Sequence, residues 1–265
     1  MSDRYTHGHH QSVLRSHLRR SAQNSAAYLL EHLREGDDII DIGCGPGNIT
    51  VDLARLVAPG RALGIDASAD VIDRARADAP TELANLAFET GDTYSLGFPD
   101  DSFDVVHAHQ VLQHLTDPVR ALREMRRVLR PGGLLAVRDA DYKAFMWSPS
   151  DPLLDRWLEI YHRVTDANDA EADAGRQLLG WVAAAGFLEP RYTTSNWTWC
   201  TDEDRAWWGG LWAQRVLESD FAHQARDLGF TDRSEQEQIA EAFLRWAESP
   251  VGIWVVPNGE VLARA

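Results

Sequence analysis

The sequence has few cysteines, a deficit of positive charge and no long apolar run. Among its 265 residues only Cys44 and Cys200 are cysteines, so we expect two free thiols in a reducing compartment rather than a disulfide framework. Lys and Arg number 26 against 41 Asp and Glu, and this net charge of −15 offers no global attraction to nucleic acid or to an anionic membrane. No stretch approaches the roughly 20 apolar residues of a membrane span, and the first residues contain no apolar signal segment. We therefore expect a soluble, cytoplasmic protein that does not bind nucleic acid.

The chain also lacks a convincing metal-binding pattern. Its His, Cys and carboxylate residues do not recur at ligand spacing, and the stretch "HGHH" at 7–10 could bind a metal only adventitiously. We expect no metal cofactor.

Strand-like and helix-like segments alternate through the first half of the chain. Apolar residues at helical spacing over 11–34 predict a helical prelude. Strands are predicted at 37–42, 61–66, 85–90, 103–108 and 134–138, with helices at 48–57, 68–78 and 117–129. Such alternation implies right-handed βαβ units and a mostly parallel sheet.

The second half is predicted to complete the sheet around a block of helices. A helix at 174–185 leads into a strand at 191–199, two or three helices follow over 201–248, and Asn258 and Gly259 suggest a turn near the end. The helical block would interrupt a terminal hairpin of the sheet. The acidic segment 165–175 is expected to be an exposed loop. On the helix at 117–129, Arg120 and Glu124 are expected to pair at the surface.

A glycine-rich loop, "DIGCGPG", follows the first predicted strand. A pyrophosphate-binding loop needs Gly-x-Gly-x-x-Gly, because the phosphates sit on backbone N–H groups at a helix N-terminus. Here Gly43, Gly45 and Gly47 alternate, so the third glycine comes one residue early. The loop therefore allows close approach to the backbone without the spacing of a phosphate cradle, and a tight turn without a ligand is the alternative.

Two carboxylates follow the next two strands at the same edge of the sheet. Asp66 could accept both hydroxyls of a ribose, or it could cap the following helix, a role that Ser68 could also fill. Asp92 could accept the amine of adenine, or it could be a turn residue beside Gly91. Together with the glycine loop they indicate a nucleoside pocket that holds no pyrophosphate.

The motifs "DIIDIGCGPG", "GID", "GDTYSLGFPDDSFDVV", "HQVLQHLTD" and "REMRRVLRPGG", in this order over residues 37–138, resemble those of class I S-adenosylmethionine-dependent methyltransferases. The small-molecule branch, similar to the ubiquinone/menaquinone C-methyltransferases, fits them best. The resemblance implies an α/β, Rossmann-like sheet of seven mostly parallel strands, with helices on both faces and a helical insertion at about 201–250 before an antiparallel last strand. Residues 1–36 would form a helical lid, and 37–265 the methyltransferase domain.

The resemblance also implies which residues hold S-adenosyl-L-methionine. They are Asp41, Gly43, Gly45 and Gly47 at its methionine part, Asp66 at the ribose, Asp92 and Thr93 at the adenine, Ala108 and His109 at the amino group and the methyl group, and their neighbours Cys44, Ala67 and Gly91. Cys44 is expected to serve as a small packing residue rather than a methyl acceptor.

A general base is needed only if the methyl acceptor must lose a proton. His109 is the preferred candidate, because an unperturbed histidine titrates near neutral pH. Tyr5 and His10, with His7 and His9 beside them, are candidates from the lid, although this segment could be a mobile tail. His114 fits a structural role better.

The acceptor is expected to be a small, apolar or aromatic molecule. No Asn/Asp-Pro-Pro-aromatic tetrapeptide of the kind expected in nucleobase amine methyltransferases follows the fourth strand. Six of the ten tryptophans fall late in the chain and could line an acceptor pocket, or simply fill the core of the insertion. A homodimer is one possible assembly. A cofactor-binding sensor or scaffold without catalysis and a nicotinamide oxidoreductase remain the competing functions.

Overall fold

The computed structural model describes Thr6, residues 16–17 and residues 19–265. Its centre is an eight-stranded sheet in the order β3-β2-β1-β4-β5-β8, with β6 and β7 both paired to β8. The strands are Ile39–Ile42 (β1), Ala62–Asp66 (β2), Leu86–Thr90 (β3), Phe103–His109 (β4), Leu129–Ala140 (β5), Met146–Ser148 (β6), Leu188–Trp199 (β7) and Ile253–Arg264 (β8). Strands β1 to β5 are mutually parallel, and β8 runs antiparallel to β5, β6 and β7.

Helices cover both faces of the sheet and build a cap beside it. They are Ala22–Ser25 (α1), Ala27–Leu30 (α2), Asn48–Val57 (α3), Ala69–Asp78 (α4), Pro118–Val128 (α5), Pro152–Ala167 (α6), Ala174–Ala184 (α7), Asp202–Glu218 (α8), Asp220–Asp227 (α9) and Arg233–Glu248 (α10). None of the helices in the described ranges is long and apolar enough to cross a membrane.

Local sequence explains where these elements begin and which face they bury. All four residues of β1 are buried because the strand lies between β2 and β4. Helix α5 begins at Pro118, where the missing N–H costs nothing, and the Asp117 side chain accepts a hydrogen bond from the Arg120 backbone N–H at 2.9 Å. Leu122 and Met125 on its inner face are fully buried against the sheet. The first half of the chain is therefore a parallel α/β unit, as predicted.

A separate aromatic core holds the cap together. This core forms where α6, α8 and α10 pack beside the first residues of β8, and Trp157 lies at its centre. The Trp157 ring meets Trp212 edge to face with centroids 4.5 Å apart, and it packs against Phe243 and Trp254 at 5.2 and 5.7 Å. Such ring contacts add to the burial of apolar area and make the cap a packed unit.

Several details differ from the sequence predictions. The turn predicted at Asn258 and Gly259 is wrong, because both residues pair within the continuous strand β8. The segment 165–175 is not an exposed loop, since its first residues belong to α6 and Ala172 is buried. The short strand β6 adds an eighth strand to the seven expected.

The surface pairing predicted on α5 is also wrong. Glu124 binds Arg127, at 2.7 Å, and the backbone N–H of Leu96 instead of Arg120. The Arg120 guanidinium lies over the ring of Tyr94. Between 19 and 34, the predicted helical prelude consists of the two short helices α1 and α2. By contrast, the helical block α8 to α10 does interrupt an antiparallel pair, β7 and β8, as predicted.

Candidate functional site

A cavity of about 310 Å³ opens at the carboxyl ends of β1, β2 and β4. This is the edge at which open α/β sheets bind their ligands. Strand ends and the loops after them form one side, and the cap forms the other together with Ser16, His17, Arg19, Arg20 and Asn24. Of the residues predicted to hold a cofactor, those that line it are Asp41, Gly43, Cys44, Gly45, Asp66, Ala67, Gly91, Asp92, Thr93 and His109.

Gly47 and Ala108 do not line the cavity. Gly47 ends the glycine loop and caps α3 in a left-handed conformation, and a Cβ there would lie 2.5 Å from the Phe88 ring. Ala108 is fully buried in the core beneath the sheet edge. Their roles are therefore packing and backbone geometry rather than contact with a ligand in this cavity.

The glycine loop is fastened to the end of β2 through Asp66. One Asp66 carboxylate oxygen accepts the backbone N–H of Gly45 at 3.1 Å, and the other accepts that of Ser68 at 2.9 Å. Ser68 caps α4, so the helix-capping alternative for Asp66 is not needed. Gly45 itself lines the cavity with a φ of 55°, a conformation that favours glycine. The loop thus exposes its backbone to the cavity in a fixed position.

Asp41 lies at the inner end of the cavity in a buried polar group. The register of β1 against β4 places it beside His107, and its carboxylate lies 2.7 Å from His107 Nδ1. Its other oxygen accepts the hydroxyl of Thr50 at 2.5 Å. These contacts fix the carboxylate, which is 2% exposed, where the sheet edge meets the cavity.

The loop after β3 contributes a more open part of the wall. Asp92 is exposed, and its carboxylate accepts the Tyr94 backbone N–H at 2.8 Å, as a turn residue would. The Thr93 hydroxyl is buried and has no hydrogen-bond partner within the described part of the chain. A ligand that reached this loop would meet a carboxylate acceptor and an unsatisfied hydroxyl.

His109 belongs to a row of polar residues that crosses four strands. The register pairs His109 with Arg138, Arg138 with Glu260, and Glu260 with Thr193. Arg138 Nη1 lies 3.5 Å from His109 Nδ1, and its Nε lies 3.2 Å from the Glu260 carboxylate. All three ionisable residues of the row are buried, which isolates the Arg138–Glu260 ion pair from solvent.

The surroundings of His109 keep its imidazole neutral. Burial, followed by the positive charges of Arg20 and Arg138, holds the pKa of His109 well below its usual value. Burial also lowers the pKa of Arg138 to about 10, which still leaves it cationic at neutral pH. His114 is likewise neutral, because burial lowers its pKa to about 3. Neither histidine resembles a base that titrates near pH 7.

Tryptophans form the opposite wall of the cavity. Those that line it are Trp197, Trp199, Trp207, Trp208 and Trp212, together with Tyr142 and Phe145. Trp199 stacks on Trp208 with centroids 5.5 Å apart, while the Trp197 ring meets His109 edge to face at 5.5 Å. Trp208 and Trp212 also belong to the core of the cap. Trp208 and Trp212 thus serve both the cavity wall and the core, whereas Trp246 lies in the core alone. A role of these rings in binding an acceptor stays a prediction.

The segment before α1 lies across this wall. Arg19 contacts Glu203 at 3.0 Å, and its guanidinium lies 4.4 Å from the Trp207 ring centroid. Arg20 donates to the Gln110 side chain at 2.5 Å, and Arg215 of α8 donates to the Ser16 hydroxyl at 2.9 Å. Tyr5 and His10, with His7 and His9, lie outside the described residues. Sequence reasoning missed Arg20, Gln110 and Arg215, which line the cavity. It also missed Arg138, which the register of β4 against β5 places beside His109.

Both cysteines are free thiols, as expected. Burial raises the pKa of the Cys44 thiol well above its usual value, so it is not a reactive thiolate. Residues 16–17 and 19–265 contain no group of His, Cys, Asp or Glu residues that could hold a metal ion.

Residues 33–205 match the family model of the methyltransferase domain. The chain belongs to this family. It is 33% identical to an uncharacterized methyltransferase of Schizosaccharomyces pombe, over 97% of this chain and 95% of that protein. A ubiquinone/menaquinone biosynthesis C-methyltransferase of Hahella chejuensis is 34% identical over 49% of this chain and 51% of its own length.

The fold is that of solved methyltransferase-like structures. The YcgJ protein of Bacillus subtilis superposes with a TM-score of 0.58 at 21% identity, over 90% of this chain and 96% of that one. The predicted α/β, mostly parallel architecture and the resemblance to class I methyltransferases are thereby confirmed. The protein is an S-adenosylmethionine-dependent methyltransferase by its family.

Proposed function

We propose that the cavity holds S-adenosylmethionine against the glycine loop and a small, planar or apolar methyl acceptor against the tryptophan wall. The single observation that carries this proposal is the division of one cavity into two chemically different sides. Backbone and carboxylates face it from the sheet edge, and indole rings face it from the cap. Such a division suits a polar nucleoside and a less polar acceptor at the same time.

The residues present fit the donor. At Gly45 the backbone faces the cavity without a side chain, and Asp66 lies at the end of β2, where its carboxylate could accept the hydroxyls of a ribose. The buried Thr93 hydroxyl has no hydrogen-bond partner among the described residues. Asp41 would face the amino group of the methionine part. When bound, S-adenosylmethionine supplies an electrophilic methyl group on a positively charged sulfur.

The contribution of the chain is then binding, alignment and exclusion of water. The tryptophan wall would hold the acceptor, and the buried polar row behind His109 would fix that part of the cavity. Residues 1–36 would serve as a lid, because Ser16 and Arg19 line the cavity and contact α8 of the cap. The proposed catalytic contributions of Tyr5 and His10 from this segment stay predictions.

Isothermal titration with S-adenosylmethionine, S-adenosylhomocysteine and NADH tests the donor assignment. We expect the first two to bind and NADH to fail, because the loop lacks pyrophosphate spacing. Gly45→Val should abolish binding by placing a side chain in the cavity. Gly36→Val is the matched control, since Gly36 also has a positive φ, of 92°, but its Cβ would meet nothing within 4 Å. NADH binding without the other two would refute the proposal.

A further inference from the structure

On the side of the tryptophan wall, the charged residues that line the cavity are arginines rather than carboxylates. Six strongly charged residues line the cavity in the described ranges, namely Arg19, Arg20, Arg215, Asp41, Asp66 and Asp92. The three aspartates lie on the opposite side, where Asp41 belongs to β1, Asp66 ends β2 and Asp92 follows β3. Each arginine lies close to a tryptophan, with Arg19, Arg20 and Arg215 at 4.4, 5.7 and 4.8 Å from the ring centroids of Trp207, Trp197 and Trp212.

This arrangement argues against a cationic acceptor. A cage of indole rings ordinarily favours a ligand cation, because the ring faces are electron-rich. Here guanidinium groups of the protein already lie over three of the rings. Arg19 is paired with Glu203 and Asp204. A ligand cation would therefore meet the like charge of Arg20 and Arg215. An anion would be attracted instead.

Arg138 sets the tautomer of His109. A guanidinium has donors only, so the 3.5 Å contact between Arg138 Nη1 and His109 Nδ1 can be a hydrogen bond only if Nδ1 is the acceptor. A neutral imidazole with an accepting Nδ1 carries its proton on Nε2. Nε2 is buried and has no hydrogen-bond partner among the residues that the structure describes. His109 is thus prepared as a hydrogen-bond donor rather than as a base.

The partners of Arg138 make this arrangement rigid. Its Nε lies 3.1 Å from the Ser195 hydroxyl and 3.2 Å from Glu260, and its guanidinium lies 4.6 Å from the Trp197 ring centroid. Trp197 is itself held by a 2.8 Å hydrogen bond from its Nε1 to the carbonyl of Asn24. We call His109, Arg20, Arg138 and Trp197 the anion corner.

Resting on the proposed function, we propose that the acceptor is a planar organic anion whose charged oxygen binds at the anion corner. There it accepts the Nε2–H of His109 beside the guanidinium of Arg20. Its ring lies against the tryptophan wall. Methyl transfer to that oxygen breaks the S–CH3 bond of S-adenosylmethionine, forms an O–CH3 bond and leaves S-adenosylhomocysteine. No proton is removed from the acceptor in this step, so it needs no base from the protein. His109 then binds the acceptor, and Arg138 is a positioning residue that acts through His109.

Nitrogen-15 NMR of the histidine side chains tests the tautomer without any ligand. We expect His109 to show a protonated Nε2 and a bare Nδ1, with its signals assigned by their loss in His109→Gln. A protonated Nδ1, or an imidazolium at neutral pH, would overturn the inference. This result does not depend on whether S-adenosylmethionine binds.

Titration with three matched probes tests the charge of the acceptor. 1-Naphthoate, 1-naphthamide and 1-naphthylmethylammonium present similar rings with negative, neutral and positive groups. In the presence of S-adenosylhomocysteine, naphthoate should bind about tenfold or more tighter than the amide, the scale of one charged hydrogen bond. His109→Phe should remove most of that preference.

The outcomes separate this inference from the proposed function. Equal affinities, no binding by any probe, or tighter binding of the ammonium would overturn the anionic acceptor while leaving S-adenosylhomocysteine binding intact. Failure of S-adenosylhomocysteine to bind would refute the proposed function, and naphthoate preference would then still be measured on the protein alone.

Discussion

Replacing Asp66 tests how the strand end serves the donor side of the cavity. In Asp66→Ala the Gly45 and Ser68 backbone N–H groups lose their shared acceptor, and a bound ribose would lose its carboxylate partner. A hydrogen bond to a charged group contributes about 1.5–3 kcal/mol, so the Kd for S-adenosylhomocysteine should rise about 10- to 150-fold. Asp66→Asn should be milder, because one oxygen can still accept.

Isothermal titration measures these affinities, and thermal unfolding shows whether each variant folds. Asp70→Ala is the control, since Asp70 is an exposed carboxylate in the first turn of α4 that does not line the cavity. Its affinity should equal that of the unchanged protein. A folded Asp66→Ala variant with unaltered affinity would refute the reasoning and remove Asp66 from the site.

Three further predictions concern the cap, the lid and pH. Trp157→Ala should lower the free energy of unfolding by about 3–5 kcal/mol, because Trp157 is fully buried among aromatic rings. The control Leu244→Ala, at an exposed position, should change the free energy of unfolding by under about 0.5 kcal/mol. Urea denaturation measures both. Backbone hydrogen exchange in residues 19–30 should slow when S-adenosylhomocysteine binds, and it should quicken in Arg19→Ala, which loses the contact with Glu203. Equal exchange with and without S-adenosylhomocysteine and in the variant would argue against a lid. The hydrogen bond with Asp173 raises the pKa of His162, so its stabilisation is complete below the unfolded pKa of about 6.5 and is lost as pH rises through the folded pKa. A stability difference between the unchanged protein and His162→Gln that does not shrink with rising pH would contradict this.

The sequence was informative wherever one short-range signal decided the structure. Helix α3 has the predicted bounds, 48–57, because Gly47 in a left-handed conformation precedes its first residue. Apolar residues at helical spacing then extend the helix to Val57. The proximity of Gly45 and Asp66 was also predictable, since they lie at the carboxyl ends of β1 and β2, which meet at one edge of a parallel sheet.

The surroundings of His109 depend on long-range strand pairing, which no local sequence pattern indicates. Arg138 lies beside His109 because of the register of β4 against β5. Glu260, which is 122 residues after Arg138 in the chain, contacts Arg138 from β8. Asn258 was predicted as a turn because Asn-Gly is a strong hairpin signal, but pairing on both sides of β8 overrode it. His109 looked like a base from its type alone, and only its burial and its arginine neighbours show why it stays neutral.

A crystal structure of the protein with S-adenosylhomocysteine tests the central claim most directly. We expect its ribose at Asp66, its adenine beside Asp92 and Thr93, and its sulfur directed across the cavity toward the tryptophan wall. S-adenosylhomocysteine bound outside this cavity, or bound with its adenine among the tryptophans, would contradict the assignment of the two sides.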